Sequence, residues 1–154
     1  MNIERLTDDD LTPLAEMFQQ FWGEKSSLER MRKVFSRLAA NPAYILLAAK
    51  QNDRLAGFAM GIICEELYGN CKPFMVIEDL IVDSAQRRGG IGSALMRELE
   101  KCARNHDCCQ IKFVTEADRT QAYRFYRSLG YESEPYKGFK KQIGRSKYNR
   151  YSRP

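Results

Sequence analysis

The spacing of apolar side chains changes repeatedly along the chain, and each change predicts an element. Residues 3–6 read as a short first strand. Thr7 and the three aspartates after it supply capping oxygens and first-turn negative charge, and Leu11, Leu14, Phe18 and Phe21 then recur at helical intervals, which predicts a helix to about Trp22. Ser26-Ser27 offers a cap for a second helix carrying Leu28, Met31, Phe35 and Leu38, which should end before Asn41-Pro42. Two apolar runs, 44–49 and 54–64, flank the polar turn Lys50-Gln51-Asn52-Asp53, a hairpin signal. Residues 73–83 make the next strand, rich in β-branched side chains from Val76 to Val82. Helical spacing returns over 93–101, where Leu95, Leu99 and Cys102 share one side, and Asn105-His106-Asp107 ends it. Residues 110–114 resemble a buried strand, so strand, helix and strand form a parallel crossover. A last helix over 120–129 places Ala122, Phe125, Tyr126 and Leu129 along one side and stops at Gly130. Tyr131-Glu132 and residues 136–143 are expected to close the sheet as an antiparallel pair. The pattern as a whole is α/β, with a mixed sheet of about seven strands and about four helices.

Size agrees with this picture, since 154 residues with 44% hydrophobic content suit one domain with its own core. No apolar run approaches the length needed to span a bilayer, and the N-terminus lacks a basic region followed by an apolar stretch, so a cytoplasmic protein without a membrane partner is expected. The five cysteines form an odd set with no paired spacing, and the single histidine, His106, lies in a polar turn. Reduced thiols and no metal are the expectation. The net charge of +5 raises the question of nucleic acid, and its distribution answers it. Seven basic residues and no acidic one fall in 137–154, which leaves residues 1–136 at net −2. A short basic end of this kind suits a solvated tail or subunit contact better than a nucleic-acid arm. The expected organisation is therefore a domain over 1–143 and a basic tail over 144–154.

The most informative stretch is Gln86-Arg87-Arg88-Gly89-Gly90-Ile91-Gly92, set between the strand at 76–82 and the helix that follows. Glycines at a helix start let backbone N–H groups approach an anion, with the positive end of the helix dipole behind them. The loop lacks a Gly-Lys-Ser/Thr ending and follows a mid-chain strand, which counts against a P-loop and against a dinucleotide-binding unit. Either arginine could grip a phosphate or point to water.

With Arg87-Arg88-Gly89-Gly90-Ile91-Gly92 after the central strand and Arg124-Phe125-Tyr126-Arg127-Ser128-Leu129-Gly130-Tyr131 downstream, the chain resembles the GCN5-related N-acetyltransferase (GNAT) superfamily, with some likeness to its polyamine and small-amine members. The resemblance covers nearly the whole chain. It implies acetyl-CoA as donor, its pyrophosphate held by the amides from Arg88 to Ser93, with Gly89, Gly90, Ile91 and Gly92 between them, and its pantetheine arm along Leu80-Ile81-Val82. It also implies a homodimer. One position departs from the family, which often has Asn seven residues before the tyrosine where this chain has Arg119, and the cofactor contact expected there is thereby changed.

Transfer of an acetyl group to an amine requires a deprotonated amine and a protonated leaving thiol. The resemblance puts Glu78 in the position of general base and Asp79 beside the amine, with the proton leaving directly or through water. Both could equally be ion-pair partners. On strict alternation the two carboxylates point to opposite faces of the strand. Tyr126, a phenol whose reference pKa is near 10, suits a general acid toward the thiolate. The acceptor pocket is expected near Trp22 and Glu24, with Glu65, Glu66, Tyr68 and Tyr136 as further candidates. The function so read is acetyl transfer from acetyl-CoA to a primary amine of a small molecule or peptide. The alternative is a catalytically silent acyl-CoA-binding regulatory module.

Overall fold

In a computed structural model, residues 1–141 and 143 are described, and the expected basic tail lies outside them. The chain divides into two units, Met1–Phe113 and a second beginning at Val114. In the first unit the strands β1 (Asn2–Arg5), β2 (Tyr44–Gln51), β3 (Arg54–Cys64), β4 (Phe74–Val82) and β5 (Ile111–Lys112) lie side by side in chain order. The first three pairings are antiparallel and β4–β5 is parallel, so the sheet is mixed. The helices are α1 (Leu11–Trp22), α2 (Leu28–Ala39) and α3 (Ile91–Asn105), with α4 (Thr120–Ser128) in the second unit.

The two faces of the sheet are covered by different helices. On one, Leu46, Ala48 and Phe58 pack with Leu6, Leu11 and Leu14, and Phe18, Met31, Phe35, Leu38 and Met60 complete the cluster from α1, α2 and β3. Phe18 meets Phe58 edge to face with centroids 6.1 Å apart. On the other face lies α3, whose Ile91, Leu95, Met96, Leu99 and Ala103 are buried. Gly57 and Gly61 of β3 let this helix sit close: a Cβ on Gly57 would meet Ile91 Cγ2 at 2.7 Å, and one on Gly61 would meet Leu99 Cδ2 at 3.0 Å. Burial on both sides explains why β2 reads as a continuous apolar run from Ile45 to Ala49.

The entry to α1 is held by charge. The Asp10 carboxylate, 5% exposed, accepts from the Thr7 N–H at 2.9 Å and the Thr7 hydroxyl at 2.8 Å, and it faces Lys50 Nζ at 3.0 Å. Lys50 also reaches Glu4 at 2.8 Å, so one ammonium links β1, the start of α1 and β2. Burial alone would raise the Asp10 pKa, but the Thr7 N–H and Lys50 outweigh it and hold the carboxyl below its ordinary value of 3.8. Glu4 and Asp10 hold the Lys50 ammonium above its ordinary 10.5.

Two expectations are corrected. Among the described residues there are five strands, because 131–141 form none: Pro135 has no N–H for a ladder, and Tyr136 and Phe139 are exposed. The run 110–114 shrinks to Ile111–Lys112 and is not buried. Among the described residues it is an edge strand with β4 as its one partner, Lys112 is exposed over the Phe74 ring at 4.1 Å, and Val114 is 76% exposed.

Candidate active site

The expected anion loop is built by a capped turn followed by an uncapped helix. Asp83 ends β4 and its Oδ1 accepts the Ala85 N–H at 2.8 Å, which starts a 3-10 turn over Ser84–Gln86. Gln20 of α1 steadies that turn, donating to Asp83 at 3.4 Å and accepting from Ser84 at 3.3 Å. Arg88 then takes a left-handed backbone (φ 66°), Gly90 does the same (φ 78°), and α3 begins at Ile91, two residues before the position expected from apolar spacing. Gly92 and Ser93 therefore lie inside the first turn. Gly90 occupies the N-cap position and offers no side chain to cap the first-turn amides, and that turn carries no acidic residue. Arg87 and Arg88 are exposed and have no ion-pair partner among the described residues. Free amides at a helix start with two available guanidiniums form a site that fits a phosphate or pyrophosphate.

The strand leading into the loop is irregular where the carboxylates lie. Ile77 pairs with Gly61 and Asp79 with Met60, so Glu78 has no residue opposite it and forms a β-bulge. The bulge reverses which positions face which helices. Met75 and Ile77 share the α3 face with Ile63 and Gly61, whereas Asp79 and Ile81 share the α1–α2 face with Met60 and Phe58. Counting two residues on from Val76, the partner of Ile62, puts Glu78 on that α1–α2 face as well. Strict alternation, which would separate Glu78 from Asp79, fails for this reason, and both carboxylates belong to one side of the sheet. Glu78 is exposed without an ion-pair partner among the described residues, and Asp79 is half-buried. Ile81 is buried, while Leu80 and Val82 are half-buried. The parallel ladder to β5 consists of Met75–Ile111 and Val76–Lys112, so β4 runs on past it through Leu80-Ile81-Val82.

Trp22 closes α1, its ring edge-on to Phe21 with centroids 4.3 Å apart, and Gly23 (φ 76°) stops the helix just before half-buried Glu24. Exposed Glu65 and half-buried Glu66 follow β3, where Glu66 Oε1 accepts from the Leu67 and Tyr68 amides and leaves Tyr68 86% exposed.

The second unit contains Tyr126 and Arg119. Arg119 is the N-cap residue of α4, and Gly130 (φ 88°) follows its end. Tyr126 is half-buried beside Phe125 (5.1 Å between centroids) and Tyr131 (6.4 Å). Burial pushes its phenol pKa above 10.0 against the opposing pull of the Arg119 charge, so the proton is retained at neutral pH. Tyr123, three residues earlier on α4, accepts from the Ser133 hydroxyl at 3.2 Å and lies under Arg127.

Sequence reasoning did not find the bulge, the left-handed Arg88 or the buried Asp10. Two successive carboxylates inside an apolar strand are the one local sign of the first. Among the described residues no group of His, Cys, Asp and Glu is arranged to hold a metal ion, and no helix is long and apolar enough to cross a membrane.

A mixed sheet whose fourth strand runs through a glycine turn into the uncapped start of a helix defines an α/β class. Residues 11–131 match the family described as Acetyltransferase (GNAT) family, and the chain belongs to it: this is a GNAT-type N-acetyltransferase. It is similar to the aminoglycoside N(6')-acetyltransferase type 1 of Acinetobacter haemolyticus, with 27% identity over 145 residues that cover 93% of this chain and 99% of that protein. Among solved structures it is similar to a putative acetyltransferase from Agrobacterium tumefaciens str. C58, with TM-score 0.86, 21% identity, and coverage of 93% of this chain and 100% of that one. The apo aminoglycoside antibiotic 6'-N-acetyltransferase of A. haemolyticus gives TM-score 0.73 at 25% identity, covering 94% of this chain and 100% of its own.

Proposed function

We propose that the protein transfers the acetyl group of acetyl-CoA to a primary amine of a small polyamine-like molecule, with an aminoglycoside as the first acceptor to test. The observation that carries the donor half is the uncapped start of α3 beside two exposed arginines, joined to membership of the family. Acetyl-CoA supplies the acetyl group and leaves as a thiol. Arg87, Arg88 and the amides from Gly89 to Ser93 bind its pyrophosphate, and Leu80-Ile81-Val82 line its pantetheine arm. Support for the second contact is the run of β4 beyond its ladder to β5. Arg119 donates to the donor where the family often has an amide.

The acceptor half rests on charge and on kinship. Glu78 and Asp79 lie on one side of the sheet, a disposition that suits a cationic amine. Glu78, exposed on the strand, takes the proton from the amine directly or through water, and Asp79, Trp22 and Glu24 orient the acceptor. Tyr126, neutral at physiological pH, returns a proton to the departing sulfur. The aminoglycoside class is suggested by the A. haemolyticus matches, in sequence and in structure, whose names state that activity and whose lengths this chain spans almost completely.

The test is release of free thiol from acetyl-CoA across a panel of aminoglycosides, polyamines, amino acids and peptides. Turnover with an aminoglycoside or polyamine is expected. Turnover confined to peptides would overturn the acceptor, and coenzyme A binding with no release in any amine would mark a silent acyl-CoA module.

A further inference from the structure

We infer that Gly57, the fourth residue of β3 and outside the donor loop in sequence, sets the depth at which that loop sits on the sheet, acting through Ile91. The inference rests on the reading of residues 86–93 as the donor site. Ile91 is the first residue of α3 and is 1% exposed, so the amides that follow it are fixed in space by where its side chain seats. That seat is the missing side chain of Gly57. A Cβ there would lie 2.7 Å from Ile91 Cγ2, 3.1 Å from Leu95 Cδ1 and 3.2 Å from the Ile81 carbonyl oxygen. Ordinary carbon contacts need about 3.5–4.0 Å, so an added methyl must displace something by about 1 Å. The Ile81 oxygen belongs to the β4 ladder, and Ile91 is β-branched, with χ1 held to one strongly preferred rotamer in a helix, so its Cγ2 yields chiefly by moving the backbone. The displacement therefore passes to the first turn of α3.

Gly61 supplies the contrast within the same strand. A Cβ there would meet Leu99 Cδ2 at 3.0 Å and Met75 Sδ at 3.0 Å, both far ends of flexible side chains and both remote from the loop. Gly57 is thus a positioning residue for donor binding, and Gly61 is a packing residue.

The experiment is a double-mutant cycle read by coenzyme A affinity in calorimetry, with thermal stability measured alongside. Gly57→Ala is expected to weaken coenzyme A at least about 10-fold and to raise the acetyl-CoA KM more than it lowers kcat. Gly61→Ala should lower stability while changing affinity by no more than about twofold. In an Ile91→Ala background, which removes the colliding methyl, adding Gly57→Ala should change affinity by no more than about twofold. If both glycine substitutions weaken coenzyme A equally, or if the Gly57 penalty persists with Ala at 91, the inference is wrong. Should Gly57→Ala alone not fold, recovery of folding by Ile91→Ala and not by Leu99→Ala would support it, and no recovery would overturn it. Absence of coenzyme A binding in the wild-type protein would instead defeat the donor-site reading itself.

Discussion

Tyr126 is where chemistry and environment agree most closely at the scale of single residues. Burial holds the phenol pKa above its ordinary value, so Tyr126 keeps its proton through the physiological range and still carries it when negative charge develops on the departing sulfur. Tyr126→Phe should reduce kcat by about 10²-fold or more while leaving coenzyme A affinity within about threefold. Because the folded pKa is raised, wild-type activity that depends on this proton should survive above pH 10 and fall only at higher pH; a mutant with the wild-type kcat would remove Tyr126 from the role. Arg88 presents a different kind of evidence. Its left-handed backbone is costly for any residue with a Cβ, and it stands where the loop needs a turn. Arg88→Gly should be more stable than Arg88→Ala by about 1 kcal/mol, measured by chemical denaturation. Both should weaken coenzyme A to the same extent if the guanidinium holds a phosphate. Equal stability of the two variants would mean that the backbone at 88 relaxes in solution.

Between elements, the Glu4–Lys50–Asp10 cluster is the clearest device, since its Lys50 ammonium joins β1, β2 and the turn into α1 and pairs there with one buried carboxylate. Asp10→Asn should lower stability by roughly 1–3 kcal/mol at pH 7, read by urea denaturation. The sign of its pH dependence follows from the depressed pKa. The unfolded carboxyl titrates near 3.8 and the folded one lower, so the Asp10 contribution is complete above about pH 4 and is lost as pH falls through the folded value. The gap between wild type and Asp10→Asn should close in acid below pH 4; a gap that stays constant would mean the charge on Asp10 is not what stabilises this corner. Lys50 behaves in the opposite sense, its contribution fading only as pH rises beyond 10.5.

For the molecule as a whole, periodicity was a good guide wherever one physical requirement acted alone. The helices α1, α2 and α4 and the β2–β3 hairpin each bury one stripe or one run, and their bounds lie within a few residues of expectation. Ser27 caps α2 as its position suggested, accepting from the Arg30 N–H. The glycine turn from β4 into α3 was legible for the same reason, because glycine at a strand-to-helix junction permits the left-handed backbone that Gly90 adopts. What could not be read depended on partners distant in sequence. The β4 bulge is defined only by its register against β3, the burial of Asp10 only by Lys50 from another strand, and the role of Gly57 only by a side chain 34 positions later. The expected closing strands failed because apolar content alone, in Tyr136 and Phe139, was taken for a strand next to a proline without an N–H to offer.

The unopposed residue of β4 carries one more implication, for insertion and deletion. Removing Glu78 leaves Ile77 opposite Gly61 and Asp79 opposite Met60, so the ladder closes flush and every core side chain keeps its face. A Glu78 deletion should therefore fold, with a melting transition as sharp as the wild type's, and bind coenzyme A while failing to turn over; loss of the transition would show the bulge to be part of the scaffold. Most strand codons cannot be lost, since a one-residue slip exchanges core for surface. At this position a shortened gene would still encode an intact sheet, one that has kept its frame and lost a single carboxylate.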